Sequence, residues 1–199
     1  MTIKRVNSDA LNLREEPKVS NGNILAVLPK AHPVTVLAPA GTNGWVQVET
    51  QIDSGRIEGF VSERLLRDPV SDAKEELMGA AIAEWLRFDR GAGQEHHTPY
   101  FRFVGEMWRA INLNLDGKHR DQPWSAAFIS WVVRKAGAAY NGFKFSPAHS
   151  KYIHDAIRKR LDNAPAPFWG FRLNEHKVGL GDLVCQWRLS QRTFDDAAA

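Results

Sequence analysis

The sequence predicts an α+β chain built in two parts, a small all-β domain over residues 1–69 and a helix-rich domain over residues 70–199. Three observations carry this. Residues 8–68 hold short runs of β-branched and aromatic residues, spaced about ten residues apart and parted by turn clusters. From about residue 71 the apolar period changes to that of amphipathic helices. Between them Pro69, in "RDPVSDAKEE", interrupts both patterns.

In chain order the expected strands are "ALNLRE", "NILAVLP", "HPVTVLAPA", "GWVQVETQ" and "RIEGFVSERLL", with turns at "EEPKVSNGN", "APAGTNG" and "QIDSG". The period-2 alternation of a strand puts Val46 and Val48 on one face and Trp45, Gln47 and Glu49 on the other. Leu11, Leu13, Val34, Val36, Val46, Val48, Phe60 and Val61 are the expected core. The first helix is expected over "SDAKEELMGAAIAEWLRFDRG", entered by a Ser/Asp cap and left at Gly91. "TPYFRFVGEMWRAINL" follows, with Thr98 as cap, Pro99 at the first helical position and a stripe of Tyr100, Val104, Met107, Trp108 and Ile111. "PWSAAFISWV" reads as the opening of a buried helix with Ser125 at its mouth. "SPAHSKYIHDAIRKRL" is a fourth helix, with basic residues near its end, where the helix dipole favours them. A strand is expected in "VGLGDLVCQWRLSQ".

Composition excludes several classes. The chain is 43% hydrophobic and 25% charged, as ordinary globular proteins are, and nothing near 18 consecutive apolar residues occurs, so no membrane span is expected. A net charge of +3 is too weak for a nucleic-acid partner. Residues 1–68 carry 8 of the 26 basic and 8 of the 23 acidic side chains, so the small excess lies beyond them. Cys185 is the only cysteine, which excludes a disulfide framework; it reads as a small core residue. Glu95, His96 and His97 invite a metal reading, but adjacent residues chelate poorly, and neither metal nor cofactor is expected.

The ordered blocks "LNLREEP", "NILAVLP", "VTVLA", "NGWVQVE" and "GFVSERLL" resemble a bacterial SH3-like domain. The resemblance implies a small β-barrel that recognises cell-wall peptides or packs against a catalytic partner. Trp45 is its candidate ligand platform, with a structural role as the alternative reading.

The blocks "PWSAAFISWV" and "GLGDLVCQW" resemble the CHAP class of papain-like cell-wall amidases and peptidases, which carry a nucleophilic cysteine where this sequence has Ser125. Residues 75–190, with "PWSAAFISW", "S-x-A-H-x-x-Y-I" and "GDLVC", are more similar still to a bacterial domain family of unknown function in which serine stands at that position. The expectation is a helix-rich papain-like (CHAP-like) α+β domain. Ser125 is its candidate nucleophile, the alternative being a helix-capping hydroxyl. His149 is the candidate base inside the chain and Asp182 the candidate orienting group, or else a turn residue. Trp124, beside the nucleophile, is a candidate ligand contact. In the related hydrolases the base is a His on the strand after "GDLV", and here "LSQRTFDDAAA" holds none, so the domain reads as shortened at its C-terminus, or completed by a partner chain. The function these readings imply is peptidoglycan hydrolysis at stem peptides, the alternative being a non-catalytic wall- or partner-binding protein with a degenerate pocket. "MTIKRVNSDALNLRE" shows no secretory leader. The expectation is therefore synthesis in the cytoplasm, then action at the wall after non-classical export, contact-dependent delivery or phage lysis.

Overall fold

The computed structural model describes residues 1–39, 41, 44–186 and 193–198, and the chain divides into two compact units, residues 1–75 and 76–199. The first unit is a seven-stranded antiparallel sheet: β1 (Thr2–Val6), β2 (Ala10–Arg14), β3 (Ile24–Pro29), β4 (Pro33–Pro39), β5 (Trp45–Ile52), β6 (Gly55–Ser62) and β7 (Leu66–Arg67). They lie in the order β3-β2-β6-β5-β4-β1-β7. The long β5–β6 hairpin sets the register, with Val46 opposite Val61 and Val48 opposite Gly59. Alternation along β5 is as expected: Val46 and Val48 are buried while Trp45, Gln47 and Glu49 are half-buried. Val6, Leu11, Leu13, Leu28, Val34, Val46, Val48 and Val61 form the core, with Val36 packed against it; Phe60 is half-buried.

β1 is absent from the expected strand set. "TIKRV" is only five residues long, carries Lys4 and Arg5, and offers a single fully buried side chain, Val6. Its place comes from pairing instead, since it lies between β4 and β7, with Ile3 opposite Thr35 and Arg5 opposite Arg67.

The helices that follow are α1 (Asp72–Arg87), α2 (Tyr100–Arg109), α3 (Ser125–Lys135), α4 (His149–Leu161) and the short α5 (Phe194–Ala198). In the second unit the end of α1, α2 and α3 meet in a core of Phe88, Val104, Met107, Trp108 and Ala127, sheathed by further aromatic residues. Buried Glu84 ties them together. Its Oε1 accepts a bond from Trp131 Nε1 of α3 at 2.8 Å and one from Arg87 Nη1 at 3.2 Å, and Arg87 Nη2 donates to Glu106 of α2 at 2.8 Å. Because a buried carboxylate without donors would be costly, these four side chains hold α3, the helix that carries Ser125, against α1 and α2.

Two helix starts lie later than the sequence suggests. α2 begins at Tyr100, after a cis Thr98–Pro99 bond. α4 begins at His149, with Ala148 extended; His149 is therefore its first residue and not one turn in, because Ser146 and Pro147 belong to the approach.

The strand expected in "VGLGDLVCQWRLSQ" is not formed over residues 178–186, and residues 187–191 lie outside the described residues. Gly181, at φ +82°, turns the backbone out of extended geometry. Val178, Leu180 and Val184 are each about half exposed or more, so no sheet face gathers these apolar side chains. The core reading of Cys185 is corrected with it, since the residue is exposed.

Gly117 marks the tightest approach in the second unit. A Cβ there would lie 1.8 Å from the Glu95 carbonyl oxygen and 2.9 Å from Phe101 Cα, both backbone atoms that no rotamer change can move. Gly117→Ala is expected to cost about 3 kcal/mol or more through this overlap, read as a lowered urea midpoint; an unchanged midpoint would show that the loop yields.

Candidate active site

Ser125 and His149 are each the first residue of a helix, and the two helix starts converge. Ser125 Oγ lies 2.8 Å from His149 Nε2. Both residues are exposed, so the pair is open to a ligand. The N-cap position of α3 belongs to Trp124, which makes no side-chain capping bond. The hydroxyl of Ser125 is directed to the imidazole.

The other ring nitrogen, Nδ1, is in short hydrogen-bond contact with Tyr152 Oη. The i, i+3 spacing places His149 and Tyr152 on one face of α4, and their rings meet edge to face with centroids 5.5 Å apart. Tyr152 is buried. Burial, reinforced by the nearby Cys185 thiol, pushes its phenol far above the ordinary value, so it is a neutral group at physiological pH. Loss of solvation also raises Cys185 above its ordinary value, as protein atoms crowd its sulfur although the residue keeps open surface.

A buried serine brings the two helix starts together. Ser130 is fully buried one and a half turns into α3; its Oγ donates to the Ser146 carbonyl at 3.0 Å and accepts from Ser146 N–H at 3.1 Å. Ser146 Oγ in turn accepts from the Ala148 N–H at 3.0 Å. "S-P-A-H" is thus pinned to α3 by both polar atoms of one backbone residue, and His149 is delivered to Ser125. Ser130→Ala would strand the Ser146 N–H and C=O away from water. The expected cost is about 1–3 kcal/mol with a weakened Ser125–His149 bond, checked by chemical denaturation and by the downfield imidazole proton signal.

The pair opens onto a cleft of about 390 Å³, walled by Trp108, Leu113, Leu115, Pro123 and Pro147 with Gln122 at its edge. Trp108 Nε1, buried, has no hydrogen-bond partner among the described residues. Trp124 does not line this cleft. It stacks on Phe88 at 5.8 Å, nearly parallel, and meets Phe128 edge to face, which makes it part of the aromatic core. Asp182 accepts from the Gly179 N–H at 2.8 Å and faces His176 Nε2 at 3.5 Å, closing the glycine turn. Trp45 belongs to the first unit, where it lines a second cleft.

His154 points elsewhere, donating from Nδ1 to the Ala197 carbonyl at 3.0 Å. His96 and His97 meet each other edge to face. Among the described residues no group of three His, Cys, Asp or Glu side chains is placed to hold a metal ion, and no helix is long and apolar enough to cross a membrane. Sequence reasoning missed Tyr152 and Ser130. The first is signalled by the H-x-x-Y spacing; the second has no local signal, since its partner is 16 residues away.

Comparison with protein families gives two matches. Residues 90–197, more than half of the chain, match the family described as "Uncharacterized protein conserved in bacteria (DUF2272)", and residues 9–67 match the bacterial SH3 domain. No curated protein and no solved structure matches the chain.

Proposed function

Since the chain belongs to the DUF2272 family of bacterial proteins and carries a bacterial SH3 domain ahead of that region, we propose that it is a cell-wall hydrolase, an amidase or endopeptidase that cuts peptidoglycan at its stem peptides. The observation that carries the reading is the Ser125–His149–Tyr152 relay at the mouth of a cleft. Under it the SH3 unit holds the chain on the wall, and the second unit works as a serine counterpart of the CHAP class.

For the relay to act, the imidazole carries its hydrogen on Nδ1, donated to Tyr152 Oη, and leaves Nε2 as acceptor. Ser125 Oγ attacks the scissile carbonyl while its proton passes to Nε2; serine needs this help because its hydroxyl is a poor nucleophile at neutral pH. A neutral Tyr152 positions the ring without the charge that an aspartate would supply. The first N–H groups of α3, which have no carbonyl one turn earlier in the helix, face the developing oxyanion. When the tetrahedral intermediate collapses, His149 returns the proton to the departing amine. Water, deprotonated by the same nitrogen, then attacks the acyl carbon, and as the Oγ–acyl bond breaks His149 returns the proton to Ser125 Oγ. Under this reading the protein acts at the peptidoglycan.

The test is mass analysis of purified peptidoglycan incubated with the parent chain, Ser125→Ala and Ser125→Cys. New muropeptides from the parent that vanish with alanine are the expected result. Cleavage by the cysteine variant alone would mean a built site blunted at one atom. Intact wall in all three would overturn the hydrolase and leave a wall- or partner-binding protein.

A further inference from the structure

The first unit carries a cleft of its own, about 450 Å³, formed where β2, the start of β5 and the turn after β6 meet. One wall is apolar, made by the Trp45 indole with Leu65 and the exposed Val19. Arg14 and Arg64 also line the cleft and bring two cationic side chains to it, together with Asn12. Among the described residues no acidic side chain lines it.

Arg14 is 7% exposed. Its Nη1 donates to the Ser20 carbonyl at 2.5 Å and to Asn23 Oδ1 at 2.8 Å. Both acceptors are neutral, and among the described residues no carboxylate pairs with it. Arg64 is exposed and makes no ion pair among the described residues. Elsewhere in this unit guanidinium groups are matched: Arg56 pairs with Glu49, and Arg67 with Glu75. A largely desolvated cation held only by neutral acceptors keeps part of its desolvation cost uncompensated. A ligand carboxylate would offset it, most strongly in the forked geometry that guanidinium groups favour.

We propose that this cleft binds the end of a peptide, with the terminal carboxylate between Arg14 and Arg64 and the neighbouring apolar side chains against Trp45. The ligand class deepens the wall-targeting half of the function proposed above and rests on it for the source of the peptide. A stem peptide of the wall and the C-terminus of a protein share this chemistry.

The experiment is calorimetric titration of the full chain with N-acetyl-L-lysyl-D-alanyl-D-alanine, with its C-terminal amide, and with the all-L acid. The acid is expected to bind, the amide about tenfold more weakly, and Arg64→Gln to bind the acid more weakly and to tell acid from amide by a smaller factor, since Arg14 remains. Trp45→Leu is expected to weaken acid and amide alike. Arg64 is exposed, so its replacement leaves the fold intact. Binding of the acid in either series supports the site, and the preferred series identifies wall peptide or protein C-terminus as the source. Equal binding of acid and amide, undiminished discrimination by Arg64→Gln, or no binding of any peptide would overturn the proposal. Sedimentation with purified wall separates the two levels. If the parent and Arg64→Gln sediment alike, the carboxylate site fails and wall targeting stands. If the parent stays in solution, wall targeting itself fails.

Discussion

His149→Ala is expected to lower muropeptide release by roughly 10²- to 10⁴-fold, and Ser125→Ala in the same chain is expected to add almost nothing to that loss. The reason is geometric. Among the described residues Ser125 Oγ has one side-chain partner, the imidazole 2.8 Å away. A serine without its base and a base without its serine are equally idle, and groups that act as a unit lose their effect together. A structural role for the same bond predicts another pattern. If Ser125 and His149 only stitch α3 to α4, both variants lower stability and leave any release of muropeptides from the folded fraction unchanged. Tyr152→Phe separates a further link. It keeps the ring packing but removes the oxygen that receives Nδ1–H, so kcat should fall and KM stay level. A Phe variant as active as the parent would show that the tyrosine only fills space. Measured at constant folded fraction, the His149 and Ser125 variants with full activity would sink the catalytic reading outright.

How much of this is legible before a structure depends on the range over which each signal acts. The β5–β6 hairpin is readable because alternation and turn residues act within a few positions. β1 is not, since its one buried residue and its partners around residues 33–36 and 66–67 are visible only once the sheet is assembled. The segment 178–186 fails for the opposite reason. Its apolar alternation is a strand signal, but a strand needs a neighbour to take its backbone hydrogen bonds, and the glycine turn held by Asp182 provides none. At the candidate site, Ser125 and His149 each stand out by residue type. Their meeting across 24 residues rests on Ser130, whose hydroxyl looks like an ordinary helix residue until its two bonds to Ser146 are seen. The aromatic Trp124 looks like a binding residue for the same reason, since its stacking partner Phe88 is remote in sequence.

The largest stability effect is expected from Glu75, in the first turn of α1. Its side chain is 2% exposed, and its oxygens accept from Arg67 Nη1 at 2.6 Å, Arg67 Nη2 at 2.9 Å and the Val70 N–H at 2.8 Å, with Arg5 Nε a further 3.6 Å away. Glu75→Ala leaves two guanidinium groups, 13% and 22% exposed, facing each other without a counter-charge. Breaking a buried pair from one side costs about 3–5 kcal/mol, and the remaining water access at both arginines argues for the lower figure. The hydrogen bond from Arg67 holds the Glu75 carboxyl below its ordinary value of 4.5 against the opposing pull of desolvation. A carboxyl whose pKa is depressed by folding contributes its stability above the unfolded value, and that contribution drains away as pH falls through the folded one. The parent should therefore exceed Glu75→Gln in stability at neutral pH, and the gap should close below about pH 4.5. Hydrogen exchange in the 45–62 hairpin of the full chain, followed from pH 7 to pH 3, reads both. A gap unchanged between pH 7 and pH 3 would mean that Glu75 acts by shape and hydrogen bonding, with its charge contributing nothing.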